Sequence, residues 1–215
     1  PCVALTNIVH GLPINQDMEY TGNLLTMLNP VSLLGGVTTM LVFMTHGCFF
    51  VALKTDGAIR HDARALGTKI GLAAAVAAVV LLLWLGIEGG SVWSWITTVA
   101  LAVIFLTGLF FNMRGKEGLA FLCTFVAIAL FVLTYFLMLF PNVMPSSTNP
   151  AWSLTTTNAA SSHHTLVIMT WVALIFTPIV LIYQSWTYCV FRKRITTRHI
   201  PKAVDPSRPD PIKVH

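Results

Sequence analysis

Long apolar runs separated by short polar segments dominate the chain. The runs cover residues 31–53, 66–87, 92–113, 118–140 and 165–191. A helix needs about 20 residues to cross the hydrocarbon core of a bilayer. That core offers no water to unpaired peptide groups, so a spanning segment must bond its backbone internally. The pattern therefore predicts an all-α integral membrane protein with five transmembrane helices in a polytopic bundle.

The connections between the runs carry further information. Two of them, residues 88–91 and 114–117, are very short, which predicts that the second, third and fourth spans pack as antiparallel neighbours. The connection 141–164 contains Pro141, Pro145 and Pro150, and these prolines predict an ordered cap that is not helical throughout. The opening stretch PCVALTNIVHGLP is typical of a helix that ends in a loop. We therefore expect residues 1–30 to form an outer segment, in a partial sequence that lacks N-terminal spans.

Charge then orients the spans. Only 10% of the residues are charged, against roughly 25% in a soluble domain. All thirteen Lys and Arg residues lie on one side of the predicted bundle, and residues 1–30, 88–91 and 141–164 contain none. Basic loops favour the cytoplasm, so we expect the loop 141–164 outside and the basic tail 192–215 inside. The tail follows a span directly, which favours contact with anionic lipid over nucleic acid.

One imidazole lies well inside a predicted span. His46 is seven residues before Leu53, roughly 10 Å from the inner end of the first span. We favour a neutral ring that is hydrogen-bonded to a neighbouring helix. A role in proton transfer or near a quinone is a second interpretation. A haem or metal ligand is the third, and no second histidine of the chain is expected at the same depth.

Small residues at regular spacing suggest close contact between helices. Small residues are also common in membrane helices generally, so this pattern alone does not decide the question. On the first two spans the candidates for close packing are Gly35, Gly36 and Gly47, then Gly67, Gly71 and Ala75.

Other features are less informative. Glu88 lies at an outer turn, where we expect it to be solvated. The four cysteines do not have metal-ligand spacing, and the chain has no phosphate-binding glycine loop or Ser/His/Asp arrangement. A secondary transporter half would show broken helices with polar groups at mid-membrane, whereas Pro178 is the only proline inside a span. A transporter half and a structural membrane scaffold nevertheless stay open as alternatives.

Four motifs resemble one family. In order they are NIVHGLPI, YTGNLLTMLNPVSLLGG, FPNVMPSS and MTWVALIFTPIVLIYQSWTYCVFRKRIT, spread from Asn7 to about Arg198. Their sequence and spacing are similar to the C-terminal part of subunit II of cytochrome bd quinol oxidase. The resemblance implies that the five spans are the last five of nine.

The resemblance also implies a function. The family belongs to a prokaryotic terminal oxidase of the cell membrane, a heterodimer that oxidises quinol on the outer side and reduces O2 to water. Its haems b and d would be held by the partner, subunit I, so no haem ligand is expected here. Subunit II would stabilise that haem-bearing subunit and contribute to the proton route from the cytoplasm. The acidic residues best placed for protons belong to the family's first helices, so none is assigned to this sequence.

Overall fold

The computed structural model describes residues 2–190, and these form an all-α protein with one small antiparallel strand pair. The helices are α1 (Cys2–His10), α2 (Pro30–Lys54), α3 (Ala58–Gly89), α4 (Val92–Met113), α5 (Glu117–Leu139) and α6 (His163–Val190). Five of them, α2 to α6, are long and apolar enough to cross a membrane. The fold class and the five spans predicted from the sequence are confirmed. The predicted basic tail, 192–215, lies outside the described residues.

Local signals set the start of α2. The side chain of Asn29 accepts a hydrogen bond from the backbone N–H of Ser32 at 2.8 Å, which satisfies one of the N–H groups that a helix start leaves unpaired. Pro30 occupies the first turn, where its missing N–H has no consequence. At the other end Lys54 lies in the last turn, near the negative end of the helix dipole.

Helix α3 extends beyond the apolar run that predicted the second span. The run begins at residue 66, whereas α3 begins at Ala58 and is 32 residues long. The first two turns are charged, with Arg60 and Arg64 one turn apart, so an apolar window does not detect them. Gly57 is the residue before the helix. Its φ of 72° is positive, a backbone conformation that glycine adopts more readily than other residues. The other four spans agree with their predicted bounds to within two residues over the part of the chain that the structure describes.

Helices α2 to α5 pack as a four-helix bundle in which α2 contacts α3 and α5, and α4 contacts α3 and α5. The expected neighbours are therefore found. Large apolar side chains from all four helices fill the centre, among them Phe49, Leu81, Phe105 and Phe131. The short helix α1 packs on the first turns of α2. A buried hydrogen bond of 3.1 Å between Thr6 and Tyr135 joins α1 to α5.

An irregular cap follows α5, as its prolines predict. Strands β1 (Asn142–Met144) and β2 (Leu154–Thr155) pair antiparallel, and residues 145–149 contain no helix. The cap is joined to the loop after α1: Leu12 donates to the carbonyl of Pro145 and accepts from the N–H of Ser147, both at 2.9 Å. The loop after α1 and the cap after α5 thus form one hydrogen-bonded layer.

Helix α6 stands apart from this bundle. None of its residues is buried, and side chains along its whole length, such as Trp171, Ile182 and Trp186, are more than half exposed. Helices α2 to α5 each bury several residues against the others. The described chain therefore supplies no packing surface for its last span.

Candidate functional site

His46 is bonded to a neighbouring helix. Its Nδ1 lies 2.8 Å from the hydroxyl oxygen of Thr124 on α5, and its ring stacks on Phe121 with centroids 4.4 Å apart. The Thr124 hydroxyl is also within reach of the carbonyls of Ala120 and Phe121, at 3.1 and 3.0 Å. This geometry agrees with the favoured interpretation of the sequence, a side chain held by an adjacent helix.

Two of the small residues on α2 lie against α1. A side chain at Gly35 would overlap that of Thr6, and one at Gly36 would lie 2.6 Å from a methyl carbon of Val3. Gly47 is different, because no atom lies within 4 Å of the place where a Cβ would stand. The structure therefore puts Gly35 and Gly36 in a helix contact and leaves the surface at Gly47 open.

The candidates on α3 face the bundle. A Cβ at Gly67 would lie 2.8 Å from the ring of Phe49 on α2, and one at Gly71 would overlap Leu109 on α4. Ala75 packs against the hydrophobic core from a partly buried position. These three small residues of α3 therefore lie at its contacts with α2 and α4, within this chain.

An ion-pair cluster that sequence reasoning missed closes the end of the bundle where the basic residues gather. Glu117, at the first turn of α5, is only 4% exposed and accepts from Nε and Nη2 of Arg60, both at 2.8 Å. Arg64 lies 3.7 Å from the same carboxylate. Its guanidinium also donates to the carbonyl of Asn112, at 2.9 Å from Nη2. Glu117 therefore joins the start of α5 to the start of α3, and Arg64 extends the cluster to the end of α4.

Glu88 at the opposite end is exposed, as expected, and it is also paired, which the sequence did not predict. One carboxylate oxygen lies 2.8 Å from Nδ1 of His10, and the other accepts from the indole N–H of Trp84 at 2.9 Å. The contact joins the end of α1 to the end of α3. It borders a cavity of about 300 Å³ that Leu139, Asn142 and other residues at this end of the bundle also line.

The sequence relationships decide the family. A sequence model of the family described as cytochrome bd terminal oxidase subunit II matches residues 2–191. The chain belongs to this family. The resemblance found in the motifs is therefore confirmed, and so is the assignment to a multi-pass membrane protein whose relatives are oxidoreductase subunits.

Curated relatives agree with the assignment. The chain is 34% identical to cytochrome bd ubiquinol oxidase subunit 2 of Bacillus subtilis over 90% of its length, and covers 59% of that protein. It is 32% identical to cytochrome bd-I ubiquinol oxidase subunit 2 of Escherichia coli K12, with 93% and 63% covered. A probable cytochrome oxidase subunit 2 of Haemophilus influenzae is 28% identical, again with 93% and 63% covered. The chain thus spans about three-fifths of the length of these relatives.

Within residues 2–190 no second histidine lies at the depth of His46 in the bundle. Among residues 2–190 there is no group of three or more His, Cys, Asp or Glu side chains that could hold a metal ion. One nitrogen of His46 is bonded to Thr124, and one face of its ring is covered by Phe121. His10, His61 and His163 lie at helix ends, far from its depth in the span. No step of the chemistry is therefore assigned to a haem held here.

Proposed function

We propose that this chain acts as subunit II of a bd-type terminal oxidase, in which quinol is oxidised and O2 is reduced to water. The match of the family to residues 2–191, nearly the whole described chain, is the observation that carries the proposal. The names of the relatives from B. subtilis and E. coli support quinol as the electron donor. The reaction belongs to the assembled complex, of which this chain covers part of one subunit.

Within that complex the proposed role is structural support of a haem-bearing partner, subunit I, which would hold haems b and d. Two observations support this role. Among residues 2–190 no second histidine accompanies His46 at its depth. Helix α6 is apolar over 28 residues and buries none of them within the described chain. Lipid alone gives little specificity to a helix contact, so α6 has room for a protein neighbour.

A contribution to the proton route from the cytoplasm belongs to the same proposal. His46 is the imidazole that lies inside a span, which makes it a candidate for proton transfer. Glu117 is a poor carrier by contrast, because the two arginines stabilise its charged form. The residues of the route are therefore not assigned beyond His46.

The proposed orientation follows the charges. The loop 141–164 lies outside the prokaryotic cell membrane, and the chain after residue 191 lies in the cytoplasm. All thirteen Lys and Arg residues then face the cytoplasm, in accord with the positive-inside preference. On this orientation the Arg60–Glu117 cluster is cytoplasmic, and the His10–Glu88 contact is external.

Oxygen uptake tests the proposal. Membranes from cells that lack the full-length protein should lose a quinol-dependent oxygen uptake, and a plasmid copy of the gene should restore it. The background oxidases are removed genetically, so that the remaining rate has one source. An unchanged rate in the deletion strain would reject the oxidase function.

A further inference from the structure

A second cavity lies between α3 and α4, at the end of the bundle where the basic residues gather. Its volume is about 260 Å³, and it is lined by two turns of α3 and the last turn of α4: His61, Arg64, Ala65, Thr68, Asn112 and Met113. The apolar runs of the two helices end here, at residues 66 and 113. The cavity therefore lies at the level where the hydrocarbon core of a bilayer meets the lipid headgroups.

Hydrogen bonds between the two helices fix the wall of this cavity. The amide nitrogen of Asn112 donates to the carbonyl of Arg64 at 3.0 Å and to the hydroxyl of Thr68 at 2.9 Å. The guanidinium of Arg64 donates in return to the carbonyls of Asn112 and Met113 through Nη2. Asn112 is only 1% exposed, so these bonds are shielded from water. Both helices thus hold the cavity in shape, as is usual for a binding site that is formed before its ligand arrives.

Arg64 keeps donor groups that a ligand could use. Among residues 2–190, Nη1 of its guanidinium has no hydrogen-bond partner. Its Nε lies 3.7 Å from Glu117, a carboxylate that Arg60 approaches to 2.8 Å. His61 is exposed and has no hydrogen-bond partner in the same part of the chain. Arginine N–H groups pair best with the oxygens of a phosphate or a carboxylate, so the cavity suits an anionic group.

The local charge favours a headgroup that has no ammonium. The stretches 54–69 and 112–117 form this end of the bundle, and they contain six Lys and Arg residues against three Asp and Glu residues. An ammonium would bring a further positive charge into a region that is already positive. A headgroup whose only charge is its phosphate is attracted to such a region instead.

An exposed apolar row of α3 continues from the cavity along the span. Leu72, Val76, Val79 and Leu83 follow Thr68 at intervals of three or four residues, so they share one face of the helix. Their side chains are between 44% and 67% exposed. From Thr68 to Leu83 the row is about 22 Å long, which is more than half of the roughly 30 Å hydrocarbon core. It is therefore long enough for the acyl chains of a lipid whose phosphate lies in the cavity.

We propose that the cavity between α3 and α4 binds the phosphate of an anionic phospholipid without an ammonium group, and that the acyl chains of this lipid lie along the apolar row of α3. Arg64 pairs with the phosphate, and His61 donates a further hydrogen bond. The volume is below the roughly 300–1,000 Å³ of sites that enclose a whole small molecule, but it has to hold only a headgroup. The proposal does not depend on the oxidase function or on the orientation, because both leaflets present headgroups at this level.

Photocrosslinking in vesicles of defined composition tests the site. Benzoylphenylalanine replaces Leu72, one turn from Thr68, in the full-length protein with its native partners. The vesicles contain equal amounts of phosphatidylglycerol and phosphatidylcholine with the same chains, and mass spectrometry identifies what is joined to the protein. We expect an excess of phosphatidylglycerol of at least about fivefold at position 72. The control position, Leu83, lies on the same face in the other half of the span and should give nearly equal amounts. Equal amounts at both positions, or a protein segment in place of lipid at 72, would overturn the proposal.

A cavity-filling variant links the preference to the cavity. Ala65 is exposed and lines the cavity, so Ala65→Leu fills space without removing a side-chain hydrogen bond. We expect it to lower the excess at position 72 to less than about twofold. Ala73→Leu makes the same change at an exposed position of α3 away from the cavity and should leave the excess intact. An excess that survives Ala65→Leu would show that the lipid binds elsewhere, which contradicts the proposal.

Competition distinguishes a lipid from a free anion. Millimolar inorganic phosphate should leave the excess of phosphatidylglycerol as it is in sodium chloride of the same ionic strength, because the acyl chains keep the lipid in place. If phosphate abolishes the excess and sodium chloride does not, the cavity takes a free anion and the assignment to a phospholipid is wrong.

Discussion

Replacing Glu117 by Gln should destabilise the bundle at the end that holds the basic residues. The carboxylate is 4% exposed and is the shared acceptor of Arg60 and Arg64. Gln keeps the shape and one acceptor but removes the negative charge. Two arginines would then lie beside a neutral amide. Arg60 would keep only the exposed Asp56, 3.9 Å away, and Arg64 would keep backbone carbonyls such as that of Asn112.

The magnitude follows from the burial of the partners. Breaking a fully buried ion pair by removing one member costs about 3–5 kcal/mol. The side chains of Arg60 and Arg64 are 27% and 23% exposed, so water recovers part of that loss. We expect about 2 kcal/mol, a change of roughly 30-fold in the ratio of folded to unfolded protein. For a chain of this size the melting temperature should fall by about 4–8 °C.

Thiol labelling during heating measures the effect. Cys48 and Cys123 are partly buried in α2 and α5 and become reactive as the helices separate, so a fluorogenic maleimide follows unfolding of the full-length protein in detergent. The control is Asp56→Asn, because Asp56 is 57% exposed and 3.9 Å from Arg60. It should cost well under 1 kcal/mol. If Glu117→Gln lowers the melting temperature no more than the control does, the cluster does not hold these helices together.

Three further expectations concern topology, His46 and the glycine stripe. Single cysteines at Ser147 and Thr197 should be labelled from outside and from the cytoplasm respectively, because the basic residues segregate; outside labelling at 197 with protection at 147 would reverse the topology. His46→Ala should leave the haem content of the complex unchanged and lower oxygen uptake modestly at most, because His46 has no second histidine at its depth and the haems are proposed to lie in the partner subunit; loss of a haem band at normal protein level would contradict this. Gly71→Leu should lower assembly, measured by co-purified partner, more than Val80→Leu does, because a side chain at 71 overlaps Leu109 whereas Val80 is 47% exposed; equal yields would reject close packing at 71.

Hydropathy predicted the bounds of a span well where the sequence has a capping residue at the end of the helix. Helix α4 begins after Ser91, whose hydroxyl accepts from the N–H of Ser94, and its predicted bounds were correct. The start of α3 could not be found in the same way, because residues 58–65 form a helix without being apolar. Helix formation there brings Arg60 and Arg64 to a carboxylate on another helix, and a window average contains no information about that partner.

The candidate sites show the same limit. The sequence MTHGCFF shows an imidazole inside a span. It does not show the hydrogen bond of that imidazole to Thr124, because the partner lies 78 positions away. The small-residue pattern correctly drew attention to α2 and α3. It could not distinguish Gly71, which faces α4, from Gly47, which faces open space.

Purification from native membranes tests the central claim most directly. The full-length protein is isolated through an affinity tag in mild detergent, and a reduced-minus-oxidised visible spectrum is recorded together with the stoichiometry of the bound proteins. The account predicts one haem-bearing partner in near-equal amount and absorption bands of haems b and d. A stable protein that is purified alone and colourless, from membranes in which it is normally abundant, would contradict the assignment as an oxidase subunit.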